Sequence, residues 1–344
     1  MDLERKGHNM RTLFLFLLSA CLMLSNCQSK CADVTKTNQP DKIRILLDTD
    51  ANNELDDQHA IAYMLFNSHI FDVEGITVNR TSNGGEIEKH YEEAERVVKL
   101  CGLDQKIKIF RGASGKYEEI KDDIKNAEFD GSDAVNFIIE RAHAQDQRKL
   151  VLVPVGKLTN IALALKKDPT IIPKVRIVWL GTNYPEPGEY NFVNDISSID
   201  PILESDVEFE MVMVRYHKST GTDAVKAYLK DIREIMPGKG PEIAEPVIGR
   251  HGGSFTNFGD YSVSLFKNFR EDATTRPLFD MAAVAIVKNP AWADRVEMPA
   301  PKFENDKWVD QPDNLRKIVI WENFKKDDIM ADFYSIMENY HLPK

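Results

Sequence analysis

One short stretch of the chain concentrates the residues best suited to chemistry. Residues 45–65 read ILLDTDANNELDDQHAIAYML, and five carboxylates fall within it between an apolar run and a stretch of helical apolar spacing. Helix capping accounts for one or two, because acidic residues favour the first turn of a helix. It does not explain the others, since two carboxylates about 4 Å apart repel by about 4 kcal/mol at an effective dielectric of about 20. The cluster therefore predicts a bound positive charge.

The spacing of the carboxylates suggests different tasks for them. Asp48 and Asp50 are two positions apart on an extended segment and point to nearly the same side. Asp56 and Asp57 are neighbours on a predicted helix and point about 100° apart, so that one holds a cation while the other faces a ligand. The nearby ligand atoms are oxygens except at His59, which indicates Ca²⁺ or Mg²⁺ and argues against zinc.

Two known acidic motifs share part of this pattern. An EF-hand loop is excluded, because Asn53 stands where that loop needs Gly and His59 stands where it needs Glu. A haloacid dehalogenase-like phosphatase would use Asp48 as nucleophile and Asp50 as acid and base. That scheme leaves the carboxylates at 56–57 without a role, so the phosphatase stays only as an alternative.

Short strands and helical stretches alternate along the chain. The predicted strands are rich in Val and Ile, and the helical stretches place apolar residues three or four positions apart. The strands are predicted at 43–47, 73–78, 107–110, 149–155, 175–180, 209–214 and 316–321, and the helices at 57–67, 86–100, 133–144, 158–167 and 277–288, with a terminal helix after them. A loop-like region rich in Gly and Pro covers about 237–262. This alternation predicts an α/β fold with a doubly wound, mostly parallel open sheet and helices on both faces.

Polar residues follow the carboxyl ends of several predicted strands, where ligands gather in a sheet of this kind. Asp48 and Asp50 follow the first strand. Asn79 and Asn83 follow the second, and Asn183 follows the strand at 175–180. We therefore expect one polar rim on the sheet.

The composition of the whole chain narrows the choice of partner. Its 344 residues are 42% hydrophobic, which suffices for one large α/β domain with a substantial core. The formal net charge of -11 argues against nucleic acid, because its binding needs a basic surface that displaces counterions from phosphate. A cation or a small neutral molecule fits better.

The amino-terminal residues have the layout of a bacterial export signal. Arg11 precedes the apolar run LFLFLLSACLMLSN, which is too short to span a bilayer comfortably, and a polar stretch follows. Cys21 ends a lipobox-like sequence and Cys27 has the more polar stretch behind it, so either is a candidate for lipidation, with plain secretion as the third alternative. Cys31 and Cys101 fit free thiols at least as well as a disulfide. The expected parts are a signal peptide at 1–27, a polar linker at 28–41 and a single domain at 42–344, in a periplasmic or outer-membrane lipoprotein.

Four later segments extend the pattern of the acidic stretch. They are VPVGKLTNIALALKKDP at 153–169, IVWLGTN at 177–183, GEYNFVND at 188–195 and PLFDMAAVAIVKNP at 277–290. Together with Asp-x-Asp, a short loop, Asp-Asp and an apolar helix, they resemble the nucleoside hydrolase family of the inosine-uridine preferring type, over about residues 43–295. The resemblance implies an enzyme of purine or pyrimidine salvage that hydrolyses the N-glycosidic bond of ribonucleosides, or of a related furanosyl N-glycoside.

The resemblance also implies roles for individual residues. Ca²⁺ would be held by Asp50, Asp57, Asp280 and the backbone carbonyl of Val155, and Asp48 would orient this cluster from behind. Water activated by the metal, with Asp50 as general base, would attack the anomeric carbon while the bond to the base breaks through a ribosyl cation.

The same resemblance assigns a set of residues to the substrate. Phe279 stands where many members carry a His that protonates a purine base, so the base would stack on Phe279 while His251 or Tyr261 supplies an acid. Asn79 competes with Asn83 for contact with the ribose. The residues assigned to the substrate are Asp56, Asn83, Asn183, Glu189, Asn191 and Phe279.

A second class of function fits the same sequence. A lipoprotein without catalytic activity would use the metal and the cleft to capture a nucleoside or a sugar. The full set of carboxylates favours the enzyme, whereas Phe279 keeps the capture protein open. In either case the partner is a small nucleoside-like molecule, the membrane is reached only through a lipid anchor, and family resemblance implies a homo-oligomer.

Overall fold

A central eight-stranded sheet organises the computed structural model, which describes residues 41–269 and 274–343. Three two-stranded sheets accompany it. The strands are β1 (Ile43–Thr49), β2 (Phe71–Val78), β3 (Ile109–Arg111), β4 (Leu150–Pro154), β5 (Val175–Leu180), β6 (Glu208–Val212), β7 (Lys226–Tyr228), β8 (Val247–Ile248), β9 (Ser254–Phe255), β10 (Thr275–Pro277), β11 (Asp294–Pro299), β12 (Lys302–Glu304), β13 (Lys307–Val309) and β14 (Lys317–Glu322).

Helices connect most of these strands. The α-helices are α1 (Asp56–Phe66), α2 (Ile87–Leu100), α3 (Tyr117–Ile120), α4 (Ser132–Ala142), α5 (Thr159–Lys167), α6 (Tyr190–Asn194), α7 (Asp200–Leu203), α8 (Leu229–Ile235), α9 (Phe258–Phe269), α10 (Phe279–Lys288) and α11 (Lys326–Glu338). Short 3₁₀ helices cover Asp123–Lys125, Pro169–Lys174, Ile196–Ser198, Thr222–Ala224 and Pro290–Trp292.

The order of the strands determines where a ligand site can form. The large sheet runs β11-β14-β6-β5-β4-β1-β2-β3, and its neighbouring strands are parallel except for the antiparallel pair β11 and β14. The chain builds outward in one direction from β1 to β3 and in the other from β4 to β6. A crevice is expected outside the carboxyl ends of β1 and β4, where the winding reverses.

The two faces of the sheet bury separate cores because successive strand residues point to opposite sides. Ile45 and Leu47 belong to the core that contains α1, α2, α9, α10 and α11, whereas Leu46 belongs to the core that contains α4 and α5. All 11 residues of α1 are buried. This helix packs against α2, α10 and α11, so the acidic residues of its first turn are held in fixed positions.

The predicted α/β class is confirmed, and the strand predicted at 175–180 has those bounds in the structure. The loop predicted over 237–262 is wrong in part, since β8 and β9 form a hairpin there and α9 begins at Phe258. The hairpin turn contains Gly252 and Gly253, both at φ 81°, which explains the loop-like composition. β11 escaped prediction because this antiparallel edge strand is mostly exposed and lacks a buried pattern.

The residues from Lys42 onward form one compact unit. The predicted signal peptide and linker fall outside the described residues, apart from Asp41. Cys101 is buried and carries a free thiol. No helix within residues 41–269 and 274–343 has the length and apolar character needed to cross a bilayer.

Candidate active site

A cavity of about 140 Å³ lies at the reversal point of the sheet. The chain reaches it from the ends of β1, β4, β5 and β6 and from the first turns of α1, α6 and α10. Eight residues predicted from the sequence line it: Asp50, Asp56, Asp57, Val155, Glu189, Asn191, Phe279 and Asp280.

Three carboxylates in this cavity are arranged to hold a cation. One oxygen from each of Asp56, Asp57 and Asp280 lies within 4.8 Å of the others, and all three residues are buried. They begin α1 and α10, so the positive ends of two helix dipoles favour negative charge here. Helical spacing had predicted separate tasks for Asp56 and Asp57. The structure brings one oxygen of each within 4.8 Å of the other, so both can reach one cation, and their separate tasks stay a prediction.

The electrostatics of the cluster favour a bound cation. Burial, followed by repulsion from neighbouring carboxylates, raises the pKa of Asp57 to about 7 and raises the pKa of Asp280 strongly. Burial also raises the pKa of Asp56 to about 7. A divalent cation would relieve both causes, and hard oxygen ligands of this kind suit Ca²⁺ or Mg²⁺. The residues present therefore fit a metal ion.

Asp50 lines the same cavity beside the three carboxylates. Its carboxylate accepts a hydrogen bond from Thr81 Oγ1, and Asp57 accepts one from Thr49 Oγ1 at 2.5 Å. Burial and the charge of Asp57 raise the pKa of Asp50. The backbone carbonyl of Val155 accepts a hydrogen bond from Asn191 Nδ2 at 2.9 Å. The predicted ligands Asp50 and Val155 therefore border the cluster. The three carboxylates whose oxygens lie within 4.8 Å of one another include Asp56 in place of Asp50.

Asp48 lies behind the cavity and does not line it. Its carboxylate accepts hydrogen bonds from Thr77 Oγ1 at 2.6 Å, Asn160 Nδ2 at 2.7 Å and Asn79 Nδ2 at 3.0 Å. These bonds join β1, β2 and α5 at the rim. Burial raises the pKa of Asp48 to about 6. Asp48 is therefore placed to orient the rim. The side-chain amide of Asn79 is engaged in a hydrogen bond with Asp48.

A compact turn at the start of α6 places Glu189 and Asn191 in the lining of the cavity. Glu189 caps α6 by accepting hydrogen bonds from the backbone N–H groups of Asn191 and Phe192, and it also accepts one from Thr182 N at 2.9 Å. Asn191 Nδ2 donates to the carbonyls of Val155 and Leu180. Both side chains are therefore fixed in place before any ligand arrives.

Two predicted sugar ligands do not line the cavity. Asn83 is exposed, and its backbone N–H donates to Tyr190 Oη at 2.9 Å. Asn183 Nδ2 donates to Gly188 O at 3.1 Å, which closes its own loop. Each follows a strand as expected, but the loop beyond the strand turns the side chain away. Since neither Asn83 nor Asn183 lines the cavity, their positions do not support contact with the sugar.

The proposed acids of the 237–262 segment also lie elsewhere. Tyr261 is buried and donates from its hydroxyl to Glu93 Oε1 at 2.6 Å. His251 is exposed and lines an adjoining cavity, which shares Asn53 and Glu54 with the carboxylate cavity. Neither His251 nor Tyr261 lines the carboxylate cavity itself, and the role of His251 as an acid stays a prediction.

Seven other residues line the cavity without having been assigned a role from the sequence, and four of them are Tyr216, Glu54, Tyr190 and Arg276. Tyr216 follows the predicted strand 209–214, so the strand-end rule had the signal to find it, and Glu54 lies within the acidic stretch itself. Tyr190 follows Glu189 in the sequence, and its hydroxyl oxygen accepts a hydrogen bond from the backbone N–H of Asn83. Arg276 precedes Asp280 by four positions and places a positive side chain among the carboxylates. The positive charge had been expected from the sequence to come only from a metal ion.

Sequence comparison places the chain among known proteins. The family model described as "Inosine-uridine preferring nucleoside hydrolase" matches residues 45–316. A putative pyrimidine-specific ribonucleoside hydrolase RihB of Shigella boydii is 36% identical over 85 residues, which is 23% of this chain and 35% of that protein. An inosine-uridine preferring nucleoside hydrolase of Crithidia fasciculata is 28% identical over 106 residues, 29% of this chain and 34% of that protein. These alignments span only about a third of each relative.

Comparison of structures extends the similarity to most of the chain. A plant nucleoside hydrolase, PpNRh1, superimposes with a TM-score of 0.67 at 17% identity, over 86% of this chain and 99% of its own. A purine-preferring ribonucleoside hydrolase from Gardnerella vaginalis gives a TM-score of 0.66 at 19% identity, over 86% of this chain and 98% of its own. At these identities the likeness is one of fold.

Proposed function

The chain belongs to the inosine-uridine preferring nucleoside hydrolase family, and from this premise we propose that it hydrolyses the N-glycosidic bond of a ribonucleoside, or of a related furanosyl N-glycoside. The products are a free base and a sugar. The observation that carries the proposal is the group of buried carboxylates Asp50, Asp56, Asp57 and Asp280 in one cavity at the reversal point of the sheet. Fixed negative charge in a buried site favours a reaction that passes through a cation.

We propose Ca²⁺ as the cofactor of this site. Asp56, Asp57 and Asp280 would hold it, with Asp50 and the carbonyl of Val155 beside them. Several oxygen ligands of mixed type, carboxylate and carbonyl, suit the flexible coordination of Ca²⁺ better than the strict octahedron of Mg²⁺. When bound, the ion would polarise the attacking water and make it easier to deprotonate.

Asp50 is the general base of the proposed reaction. Its Oδ2 accepts a hydrogen bond from Thr81 Oγ1, which fixes the carboxylate and leaves Oδ1 to take a proton from the water that attacks the anomeric carbon. Asp48 keeps the neighbouring strand ends in register through its three hydrogen bonds. Loss of either carboxylate should therefore affect turnover, directly in one case and through geometry in the other.

The sugar end of the substrate is assigned to Glu189 and Asn191. Both side chains are anchored by backbone hydrogen bonds, so ribose binding requires little ordering of the protein. The negative charge of Glu189 adds to that of the carboxylate cluster around the developing ribosyl cation. Phe279, with Tyr216 at a ring-centroid distance of 5.8 Å, offers an apolar wall for a planar base.

The proposal is tested by release of reducing sugar from a panel of purine and pyrimidine ribonucleosides, with added Ca²⁺ and with the metal removed. Calcium-dependent release from at least one of them is the expected result. If the protein binds the nucleosides tightly but they are recovered intact after long incubation, it is a capture protein. Release of phosphate from phosphate esters without release of sugar would instead support the phosphatase alternative.

We also propose that the protein is exported and anchored through Cys21 or Cys27, on the basis of the apolar run before them. The test is incorporation of labelled fatty acid by the wild-type chain and by the Cys21→Ser and Cys27→Ser variants. Loss of label in one variant identifies the anchor. Equal absence of label in all three would mean plain secretion or no export.

A further inference from the structure

Arg276 reaches into the carboxylate cavity from β10, the short strand that precedes α10. Its Nη2 lies 3.2 Å from Asp56 Oδ1, and it also forms an ion pair with the carboxylate of Glu54. The side chain is 14% exposed. Its Nε is buried, and no hydrogen-bond partner for it occurs among the described residues. Nε has no accessible surface and both carboxylate contacts are made through Nη2, so the donor capacity left for a ligand in the cavity is that of Nη1.

The guanidinium lies next to the apolar wall of the cavity. Its central carbon is 5.1 Å from the centroid of the Phe279 ring, and the Phe279 ring meets Tyr216 edge to face. Phe279 and Tyr216 line the cavity together with Arg276. A planar base that packs against Phe279 and Tyr216 would therefore lie next to a fixed cation.

The charge of Arg276 persists in this setting. A guanidinium does not lose its proton at neutral pH, so Arg276 is a fixed cation beside Phe279. Phe279 has no proton to give, and burial raises the pKa of Tyr216, which makes this phenol a poorer acid. Arg276 is thus suited to stabilise negative charge on a departing group and unsuited to protonate it.

We propose that Arg276 stabilises the leaving group, and that the enzyme consequently prefers nucleosides whose base departs as an anion delocalised over carbonyl oxygens, such as uracil. The preference is over purines that need a ring nitrogen protonated before they leave. This inference rests on the proposed hydrolase activity.

The chemical step balances without a further reactant. The bond between the anomeric carbon and the base nitrogen breaks, and its electron pair stays on the base, where the guanidinium interacts with the carbonyl oxygens. Water forms the new bond to the anomeric carbon and loses one proton to Asp50. The base then takes up a proton from solvent and Asp50 releases its proton to solvent, so one nucleoside and one water yield one sugar and one base.

The test compares two glycosides in the wild-type protein and in the Arg276→Met and Arg276→Lys variants, at saturating Ca²⁺. Uridine has a poor leaving group, whereas p-nitrophenyl β-ribofuranoside has a leaving group that is stable as an anion without help. In Arg276→Met the ratio of kcat/KM for the nitrophenyl riboside to that for uridine should rise about 100-fold, the usual effect of losing one charge-stabilising donor. In Arg276→Lys, which keeps the cation without the planar fork, the ratio should rise less.

The outcomes separate this inference from the proposed function. A ratio that stays within about 3-fold of wild type in both variants, whatever the absolute rates, overturns the role of Arg276, because a purely structural effect lowers both rates together. Wild-type kcat/KM for inosine equal to or above that for uridine overturns the stated preference. A wild-type protein that hydrolyses neither the nitrophenyl riboside nor any nucleoside removes the proposed function and this inference with it.

Discussion

Opposite ends of the same sheet treat buried charge in opposite ways. Near the amino ends of the strands, Arg44 of β1 is 2% exposed and donates from Nε to Glu74 at 2.6 Å, while Arg141 donates to the other oxygen of Glu74 at 2.7 Å. Arg176 of β5 likewise donates through two nitrogens to the buried Glu210 at 2.9 Å. At the carboxyl ends, five buried carboxylates line one cavity whose lining includes a single arginine.

The difference separates charge that maintains the fold from charge that waits for a ligand. Paired and hydrogen-bonded charges at the amino ends are satisfied by the chain itself, so they contribute to the native state as it stands. The clustered carboxylates repel one another, and their raised pKa values record that repulsion together with burial. A region that is electrostatically unfavourable without a cation is a candidate for function more than for stability.

Breaking a pair at the amino ends should have the largest effect on stability. Arg44→Met removes one of the two arginines that pair with the half-buried Glu74, together with the hydrogen bonds from the Arg44 guanidinium to the carbonyls of Arg141 and Arg148. We expect the free energy of unfolding to fall by about 3–5 kcal/mol. Urea denaturation measures it, and Lys89→Met in the exposed pair with Glu92 is the control, with an expected change below about 1 kcal/mol. Equal small changes in both variants would mean that Arg44 is not a stabilising charge.

A substitution in the carboxylate cluster should act on metal affinity and spare the fold. Asp280→Asn removes one of three ligands and one repelling charge, so the metal-free protein should be at least as stable as wild type. The Kd for Ca²⁺ should rise at least about 100-fold, or about 2.7 kcal/mol, since even groups behind metal ligands change affinity 10–100-fold. Calorimetric titration tests this prediction, with the exposed Asp313→Asn as control. Unchanged Ca²⁺ affinity in Asp280→Asn would remove this carboxylate from the site.

Substitution of Asp48 should have a smaller effect, on turnover, because Asp48 acts on the site only through the residues of the rim. In Asp48→Asn, an amide group must face the donors Asn79 and Asn160, where the carboxylate now accepts from both. We expect turnover to fall about 10–100-fold while the far-ultraviolet circular dichroism is retained. Full activity in this variant would show that the register of β1 and β2 does not depend on the charge of Asp48.

The pH dependence of stability should distinguish the metal-free from the metal-bound protein. The pKa values of Asp56 and Asp57 are raised to about 7, so below pH 7 the folded state binds more protons than the unfolded state does. Metal-free protein should therefore gain stability, by about 1–2 kcal/mol, as pH falls from 8 to 5. Saturation with Ca²⁺ should remove this gain, because bound metal keeps the carboxylates ionised. Thermal unfolding at each pH with and without Ca²⁺ isolates the effect, since groups such as His59 contribute to both series. Stability curves against pH that run parallel with and without Ca²⁺ would contradict this prediction.

The sequence allowed much of this site to be assembled in advance because the strand-end rule depends on local patterns alone. Apolar runs located β1, β4 and β5, and the residues after β1 gave Asp50 on the rim, whereas Val155 came only from the family resemblance. The rule does not specify which way a loop turns beyond its strand, which is why Asn83 and Asn183 were placed in a cavity that they do not line. The loop conformation depends on contacts made elsewhere, such as the one between Asn83 and Tyr190.

Long-range pairing was the part that sequence patterns could not supply. Arg276 meets Asp56 across 220 positions of the chain, and nothing local to either residue records the contact. The edge strand β11 shows the same limit for the fold, because its pairing with β14 is not accompanied by an apolar pattern. The periodicity of apolar residues indicates which positions are buried. The Arg276–Asp56 contact and the pairing of β11 with β14 depend instead on which distant residues meet.

The most direct test of the account is the turnover of the Asp50→Asn protein under saturating Ca²⁺, measured as release of reducing sugar from the best nucleoside of the wild-type panel. The change preserves shape and removes the proton acceptor. We predict a fall in kcat of about 1,000-fold or more, with the fold and part of the nucleoside affinity retained. Wild-type turnover in this variant would contradict the assignment of Asp50 as general base and with it the proposed mechanism.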